Sequence, residues 1–467
     1  MDRCNNTDSK DRKNDIPTAL TSSTTPLGRK LFALSAACTC HTSSSPAIKL
    51  QSRDIAVSVK LRRQGHWRFE QLPSVQGRVL GMPSAATICL PPALPTSIVC
   101  PAKKGPKTYL LGSRSGGSRN KVGDNSMRRA VPSKLTFGIF DHLDEDGSAV
   151  AQQYADRLKL AEACDRLGFY AYHLAEHHCS PHGRGPSPNL FLSSVAQRTR
   201  QLRLGPLTML LSLCHPLRAF EEICMLDHLS DGRLELGIGH GSLPIELAYF
   251  GIGADAVPGR YLEASEILME AMRGSTLSYR GQHFELNNVP LTLKPHQRPH
   301  PPIWIATNRP ESARWAAANG ANLASVGPAS LVRKVTDAFR SERDNSDAND
   351  QASFLGMLRM IVIGQSADHA CSLAAPAFER WLETFKFLYD LNAIPVPPNL
   401  PLSFDAAIES ELCVVGTADF VRRALLDQVE EAGANYLLCQ VAFGNLPLDA
   451  SLYTAKTLRS ELMDRLG

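Results

Sequence analysis

From residue 134 onward, short apolar runs alternate with longer stretches whose apolar residues recur at the spacing of one helix face. The short runs are rich in β-branched and aromatic residues, which favours strands. The predicted strands are 135–140, 170–174, 202–211, 233–238, 303–306, 321–326, 358–363 and 436–441. The predicted helices are 150–167, 189–199, 217–229, 261–272, 311–319, 331–340, 418–430 and 449–466.

Eight alternations of strand and helix in residues 134–467 predict an α/β protein of the (β/α)8 TIM-barrel class. A doubly wound open sheet is the alternative, although its usual number of strands is lower. Two insertions interrupt the pattern. Residues 275–302 resemble a β-hairpin with a proline-rich exit, and residues 365–415 contain a proline-rich stretch, 392–401, with helical flanks. A long loop at the carboxyl end of a barrel strand predicts a lid or a pocket wall.

Residues 1–133 differ in kind from the remainder. They carry 21 Lys+Arg and 7 Asp+Glu, whereas residues 134–467 carry 29 and 39. The segment is rich in Ser, Thr, Pro and Arg and keeps no apolar period, so we expect a largely disordered basic extension with Met127 as the biological start. A transit peptide over 18–45 is one alternative, although acidic residues precede it, and a nucleic-acid-binding arm is another on charge alone.

The twelve cysteines show neither a disulfide framework nor paired CxxC motifs. This pattern indicates a reducing compartment, and we expect a cytoplasmic protein. No run of 18 apolar residues is present, so no membrane association is expected.

Candidate chemistry follows the second strand, where the chain reads AEHH at 175–178. In a barrel the active site lies at the carboxyl ends of the strands, so Glu176, His177 and His178 stand at the predicted active edge. A structural hydrogen-bonding role is the alternative. A zinc site is poorly supported, because adjacent residues of an extended chain point to opposite faces and no third ligand is evident.

Three further features suggest an anion site. The loop GIGHG at 237–241 lacks the helix that a dinucleotide fingerprint requires, but it places His240 beside backbone that can approach a flat ligand. The stretch TNRPESA at 307–313 enters a helix whose first amides, with Ser312, can seat a phosphate. Arg260 opens another helix. Each has an ordinary alternative, namely a turn, a capped helix and a surface cation, but together they indicate a phosphorylated cofactor.

These residues also carry a family resemblance. The motifs are LGFYAYHLAEHH (167–178), RLGP (203–206), CHPLR (214–218), EE (221–222), LDHLSDGR (226–233), GIGHG (237–241), PIWIA (302–306) and PESA (310–313). In this order they resemble the bacterial luciferase-like flavin monooxygenases. The strand–helix alternation extends the resemblance over nearly all of 134–467, while none of it touches 1–133.

The resemblance implies roles for individual residues. His177 matches the catalytic histidine beside the flavin ring, and Leu207-Thr208 matches a non-proline cis peptide under it. Arg260 and Ser312 match phosphate-binding positions. The other cofactor-binding residues that it implies are Glu176, Gly239, His240 and Glu311. Bacterial luciferase has arginine at the position of His240. It has a reactive, non-essential cysteine at the position of Gly239, and the absence of that cysteine here speaks against light emission.

The resemblance further implies that reduced FMN and O₂ oxidise a small organic substrate through a flavin peroxide. The chain shows no convincing nicotinamide motif, so a separate reductase is expected to supply the reduced flavin by transient contact. A homodimer is expected, and neither a metal nor a nucleic-acid partner. Two alternatives stay open: a deazaflavin-dependent oxidoreductase of the same superfamily, and a non-catalytic flavin-binding subunit, against which the presence of His177 argues.

Overall fold

The computed structural model describes residues 135–344 and 353–466. The predictions for residues 1–133, including the disordered extension and the start at Met127, lie outside the described residues. In the described part, no helix is long and apolar enough to span a bilayer.

The strands are β1 (Thr136–Asp141), β2 (Ala171–Leu174), β3 (Arg203–Pro206), β4 (Met209–Leu210), β5 (Leu236–Gly239), β6 (Thr276–Arg280), β7 (Glu285–Pro290), β8 (Ile303–Ala306), β9 (Asn322–Ser325), β10 (Leu355–Ile363), β11 (Cys413–Gly416) and β12 (Tyr436–Gln440). The helices are α1 (Val150–Leu167), α2 (Pro188–Arg198), α3 (Pro216–Leu229), α4 (Pro244–Tyr249), α5 (Val257–Arg273), α6 (Pro310–Ala318), α7 (Ala329–Asp344), α8 (Ala367–Leu391), α9 (Phe404–Glu409), α10 (Ala418–Ala432), α11 (Leu448–Leu458) and, after a π-helical turn (Arg459–Met463), α12 (Asp464–Leu466).

One parallel sheet contains ten of the described strands. Nine of them follow the order β3-β2-β1-β12-β10-β9-β8-β5-β4, and β11 pairs with β10 beside this path. β3 and β4 belong to one run of chain that the cis peptide Leu207–Thr208 interrupts. Leu204 of β3 forms a parallel bridge with Leu234, just before β5, so the two ends of the order meet. The nine segments therefore occupy eight barrel positions, and the predicted (β/α)8 barrel is confirmed.

Burial explains why the sequence forms these elements. All nine residues of β10 are buried, as expected for a barrel strand covered on both faces. Helix α7 buries Val332, Val335, Thr336 and Phe339, whose spacing places them on one face. Helix α1 ends at Gly168, whose φ of 76° is readily adopted only by glycine among common residues.

The two insertions adopt the predicted structure with additions. β6 and β7 form the expected antiparallel hairpin. The second insertion contains α8 and α9 on either side of its proline-rich stretch, as predicted, and adds β11, which pairs with the end of β10. The expectation that no helix follows the GIGHG loop is wrong, because α4 forms three residues later with a proline in its first turn.

Polar side chains fill part of the barrel interior. The buried Glu235 carboxylate accepts hydrogen bonds from Tyr170, Arg203 and Trp304. Burial raises the pKa of Glu235, while the charge of Arg203 opposes that shift. His173 is fully buried with its Nε2 3.0 Å from the Tyr436 hydroxyl. Burial, and then the charge of Arg203, lower the pKa of His173 to about 3.

The low pKa of His173 predicts a contribution to acid destabilisation. A histidine in the unfolded chain gains a proton near pH ~6.5, whereas folded His173 stays neutral down to about pH 3. The unfolded state therefore binds more protons below pH ~6.5, and the free energy of unfolding falls by up to about 1.4 kcal/mol per pH unit on account of this residue. Urea unfolding at several pH values between about 7 and 5 should give a shallower decline for His173→Gln than for the wild type.

The control is a substitution at an exposed residue that does not titrate, Thr276→Ser in β6, which should keep the wild-type dependence on pH. The comparison uses the slope against pH, so a constant loss of stability in either variant does not affect it. An unchanged slope in His173→Gln would contradict the assignment.

Candidate functional site

A cavity of about 710 Å³ opens at the carboxyl ends of the barrel strands. His142 follows β1 and contributes to its wall, as do Asn308 after β8, Met360 within β10 and Gln440 at the end of β12. A smaller cavity of about 250 Å³ shares Asn308 with it and adds Leu207. Both lie at the edge where a TIM barrel binds its ligands.

The insertion between β10 and α10 supplies a large part of the wall. Trp381 and Phe385 of α8 line the larger cavity, together with the proline-rich residues 397–401 and with Ser410 and Leu412. The insertion is therefore a wall of the cavity, one of the two roles that its position predicted.

The AEHH motif lies at this edge and is tied to α4. His177 Nδ1 is 3.1 Å from Glu246 Oε1, which also accepts a hydrogen bond from the backbone N–H of His178. The Glu246 side chain is only 2% exposed, so the His177 ring has a fixed carboxylate partner. Glu176 bonds differently: one oxygen is 2.8 Å from His178 Nε2 and the other accepts from the backbone N–H of Leu210.

Glu246 was missed by the sequence analysis because α4 was not predicted. Its signal was available, since Pro244 followed by an acidic residue two positions later is a typical first helical turn.

Two more histidines converge on His177. The ring centroid of His182 lies 4.9 Å from that of His177 and 4.4 Å from that of His142. Burial, followed by the charges of neighbouring histidines, lowers the pKa of both His142 and His182 well below the ordinary value. A third histidine near His177 is not evident from the sequence, because this cluster depends on a loop that folds back. Gly183 permits that fold, since a Cβ there would lie 2.6 Å from the His177 Cβ.

A second group of predicted residues meets around Ser212. Arg260, in the first turns of α5, donates through Nε to the Ser212 carbonyl oxygen at 2.9 Å. The Ser212 hydroxyl donates to the His240 carbonyl oxygen. The Arg260 guanidinium also lies 5.0 Å from the Phe284 ring centroid, a cation–π distance. Ser212 therefore contacts both Arg260, through its carbonyl oxygen, and the backbone of His240, through its hydroxyl.

Leu207, Thr208 and Gly239 also adjoin one another. The Leu207–Thr208 peptide is cis, as the resemblance implied, and Leu207 lines the smaller cavity. A Cβ at Gly239 would lie 2.2 Å from Thr208 Oγ1, so this glycine leaves room for the threonine side chain. The absence of the luciferase cysteine at this position therefore has a local packing reason.

Glu311 and Ser312 lie in the first turn of α6, directly after β8. Glu311 is exposed and Ser312 is half-buried. β8 pairs with β5, so the loops that carry Ser312 and His240 leave neighbouring strands at the same edge. Among the described residues, no hydrogen bond joins the Ser312 side chain to Arg260 or His240.

Several known proteins are similar to the barrel part of this chain. Uncharacterized protein y4wF of Sinorhizobium fredii is 84% identical over 342 residues, which are 73% of this chain and all of the relative. The oxygenase component of a flavin-dependent trigonelline monooxygenase from Acinetobacter baylyi is 28% identical over 50% of this chain and 67% of its own length. The crystal structure of the monooxygenase RslO1 from Streptomyces bottropensis, 27% identical, matches with a TM-score of 0.64 over 71% of this chain and all of the other.

More distant structures share the fold with two different cofactors. The oxygenating constituent of 3,6-diketocamphane monooxygenase from Pseudomonas putida, in complex with FMN, is 18% identical with a TM-score of 0.59. An F420-dependent secondary alcohol dehydrogenase with an F420–acetone adduct is 16% identical with a TM-score of 0.55. At these identities the likeness shows the fold alone.

The model of the family described as luciferase-like monooxygenase matches residues 135–436, which include the histidine cluster, the cis peptide and the residues around Ser212. The match covers more than half of the chain and nearly the whole barrel. This chain belongs to the luciferase-like monooxygenase family.

Proposed function

We propose that the barrel is an FMN-dependent monooxygenase, which uses reduced FMN and O₂ to oxidise a small organic substrate. One observation carries the proposal: Arg260, which can bind a phosphate, and the imidazole of His177 both lie at the carboxyl edge of one barrel, where a cavity of about 710 Å³ opens. The cavity wall includes His142, whose ring centroid lies 5.8 Å from that of His177. This volume falls in the usual range of about 300–1,000 Å³ for small-molecule and cofactor sites.

The residues present fit FMN. Arg260 has no acidic partner among the described residues, and the one hydrogen bond of its side chain to these residues uses Nε. Its terminal nitrogens therefore offer charge and donors to a phosphate. His240 and the first amides of α6 with Ser312 would complete the phosphate site, and Leu207, Thr208 and Gly239 would adjoin the flavin ring. Reduced FMN, when bound, supplies the electrons with which O₂ is divided between the substrate and water.

The protein's own part is to place a proton acceptor and to exclude water. The Glu246 carboxylate accepts the proton of His177 Nδ1, which leaves Nε2 unprotonated and able to hold or pass a proton. Glu176 acts as a positioning residue, since its two oxygens bind His178 and the backbone of Leu210. Trp381, Phe385 and the proline-rich residues 397–401 cover the cavity with apolar surface, which limits water at the reacting atoms.

The cavity favours an uncharged substrate. None of the residues that line it is Asp, Glu, Lys or Arg, and burial keeps His142 neutral. The amide side chains of Asn308, Asn399 and Gln440 supply polar groups in the wall, so a largely apolar molecule that carries a carbonyl or hydroxyl oxygen would suit it.

Reduced flavin would come from a separate reductase, which agrees with a relative named as an oxygenase component.

A homodimer is proposed as well. Three exposed apolar side chains on neighbouring helices, Leu190 of α2 with Met225 and Leu229 of α3, offer a face for it. The cysteines among the described residues are all free, which supports a reducing cytoplasmic location.

The proposal predicts which cofactor supports turnover. Purified protein supplied with reduced FMN, O₂ and a panel of uncharged organic compounds should give a product with one oxygen atom from ¹⁸O₂, measured by mass spectrometry. Charged analogues of an accepted compound should react at least about tenfold more slowly, since burying an unpaired charge is costly. Turnover with a reduced deazaflavin instead of reduced FMN would overturn the cofactor assignment. Tight FMN binding with no product from any compound would favour a non-catalytic flavin-binding subunit.

Removing the cation at the anion site should weaken cofactor binding. Hydrogen bonds to charged groups contribute about 1.5–3 kcal/mol, so Arg260→Gln should raise the Kd for FMN by roughly 10- to 100-fold. Fluorescence titration would measure this, and riboflavin, which lacks the phosphate, should bind the variant and the wild type alike. Arg280→Gln, which removes an exposed hairpin cation paired with Glu285, is the matched control. An equal loss of riboflavin affinity would contradict a phosphate contact.

The imidazole at position 177 should control coupling of O₂ to product. General acid–base groups typically contribute about 10²- to 10⁴-fold, so His177→Ala should form product at least about 100-fold more slowly. Oxidation of reduced FMN should continue, with its electrons recovered as hydrogen peroxide. His296→Ala, which removes an exposed histidine beside Asp231, should behave as the wild type. A His177→Ala enzyme with wild-type yield and peroxide release would exclude this role.

A further inference from the structure

Three imidazoles from separate turns of the chain form one cluster. His142 follows β1, His177 follows β2, and His182 lies on the loop that folds back over His177. One ring nitrogen from each lies within 4.8 Å of the others. Three histidines are a usual protein ligand set for an open, four-coordinate zinc site.

Hydrogen bonds on the far side of two rings fix which nitrogen faces the cluster. The Thr384 hydroxyl donates to the Trp381 carbonyl oxygen, so its oxygen is free to accept the proton of His182 Nδ1 at 3.3 Å. The Glu246 carboxylate accepts the proton of His177 Nδ1 in the same manner. Both rings then keep an unprotonated Nε2. Metal-binding histidines typically donate their other ring N–H to such a carboxylate or oxygen.

The third ring, that of His142, has Gln440 as its partner, whose amide can either donate or accept a hydrogen bond. The Gln440 amide lies with its nitrogen 3.0 Å from His142 Nδ1, and a half-turn of this amide presents its oxygen as an acceptor instead. His142 then also offers Nε2. Its ring lines the large cavity, so a ligand bound by the cluster would border the substrate space.

An unpaired buried atom points to a ligand. His182 is 3% exposed, and its Nε2 has no hydrogen-bond partner among the described residues. A buried polar atom without a partner carries a desolvation cost that a bound group would relieve. An unprotonated Nε2 needs a donor, and neither the Trp381 indole nor the Phe385 ring, both nearby, forms a hydrogen bond with it.

We propose that His142, His177 and His182 form a binding site for a divalent transition metal of the Zn²⁺ type, with the fourth position open to the large cavity. Zn–N bonds of about 2.0–2.1 Å in a tetrahedron require ring nitrogens about 3.4 Å apart. The ring nitrogens, which lie within 4.8 Å of one another, must therefore approach by up to about 1.4 Å. Zn²⁺ has no geometric preference from its d electrons, which suits a site that closes around it.

Metal binding at the histidine cluster has a consequence for oxygenation, and this consequence rests on the proposed function. His177 Nε2 cannot bind Zn²⁺ and accept a proton at the same time, so Zn²⁺ should inhibit oxygenation. The site is then a point at which free metal controls the enzyme.

Binding is tested without reference to activity. Full-length protein freed of metal with a chelator is titrated with Co²⁺, whose tetrahedral complexes absorb visible light intensely, and Zn²⁺ is then added as a competitor. The signal should saturate at one equivalent and disappear on addition of Zn²⁺. His182→Asn and His142→Asn should each weaken binding at least tenfold, and His296→Asn should not. Circular dichroism and the Tm of each variant show whether it is folded.

Several outcomes would overturn the site. Co²⁺ binding that survives in both His182→Asn and His142→Asn places the metal elsewhere. Binding that is lost in Cys179→Ser while His182→Asn retains it assigns the metal to the exposed thiol. No tetrahedral Co²⁺ signal in the wild type also excludes the proposal. If Zn²⁺ binds without inhibiting oxygenation, the metal site is supported and the proton role of His177 is contradicted. If His177→Ala is uncoupled but the wild type binds no metal, only the proposed function is supported.

Discussion

The closure of the parallel barrel is the constraint on which every other feature depends. Because Leu204 bridges to Leu234, the strands on either side of the cis peptide join into one ring. All carboxyl ends then lie at one edge, and loops far apart in sequence share one cavity. His142 and Gln440 are separated by almost 300 residues, yet their side chains are 3.0 Å apart. An open sheet of the same strands would spread these loops along a line.

The barrel could be predicted because its signals are local. Buried strands and amphipathic helices each leave a pattern within a few residues, so their order followed from the sequence. Strand β11 and helix α4 were not predicted. β11 lies at the end of the long insertion, where the alternation of strands and helices is interrupted, and α4 lies in a polar stretch after the GIGHG motif. Their existence depends on neighbours, the end of β10 in one case and the AEHH motif in the other.

Part of the candidate site could likewise be predicted from the sequence, and part could not. His177 was predicted because its motif is contiguous, and Arg260 and His240 because each follows a recognisable strand or begins a helix. The partners of His177 could not be predicted, since Glu246 and His182 reach it through tertiary contacts alone. The approach of His182 depends on the lack of a side chain at Gly183, a steric condition visible only once the loop is folded.

Helix α8 has one face that serves two purposes. Trp381 and Phe385 form a wall of the cavity, while Thr384, between them in sequence, orients the ring of His182. A shift of this helix that reshapes the cavity also moves the hydrogen-bond partner of that imidazole. The shape of the cavity and the orientation of His182 are therefore mechanically coupled, and substitutions in this insertion that alter one are expected to alter the other.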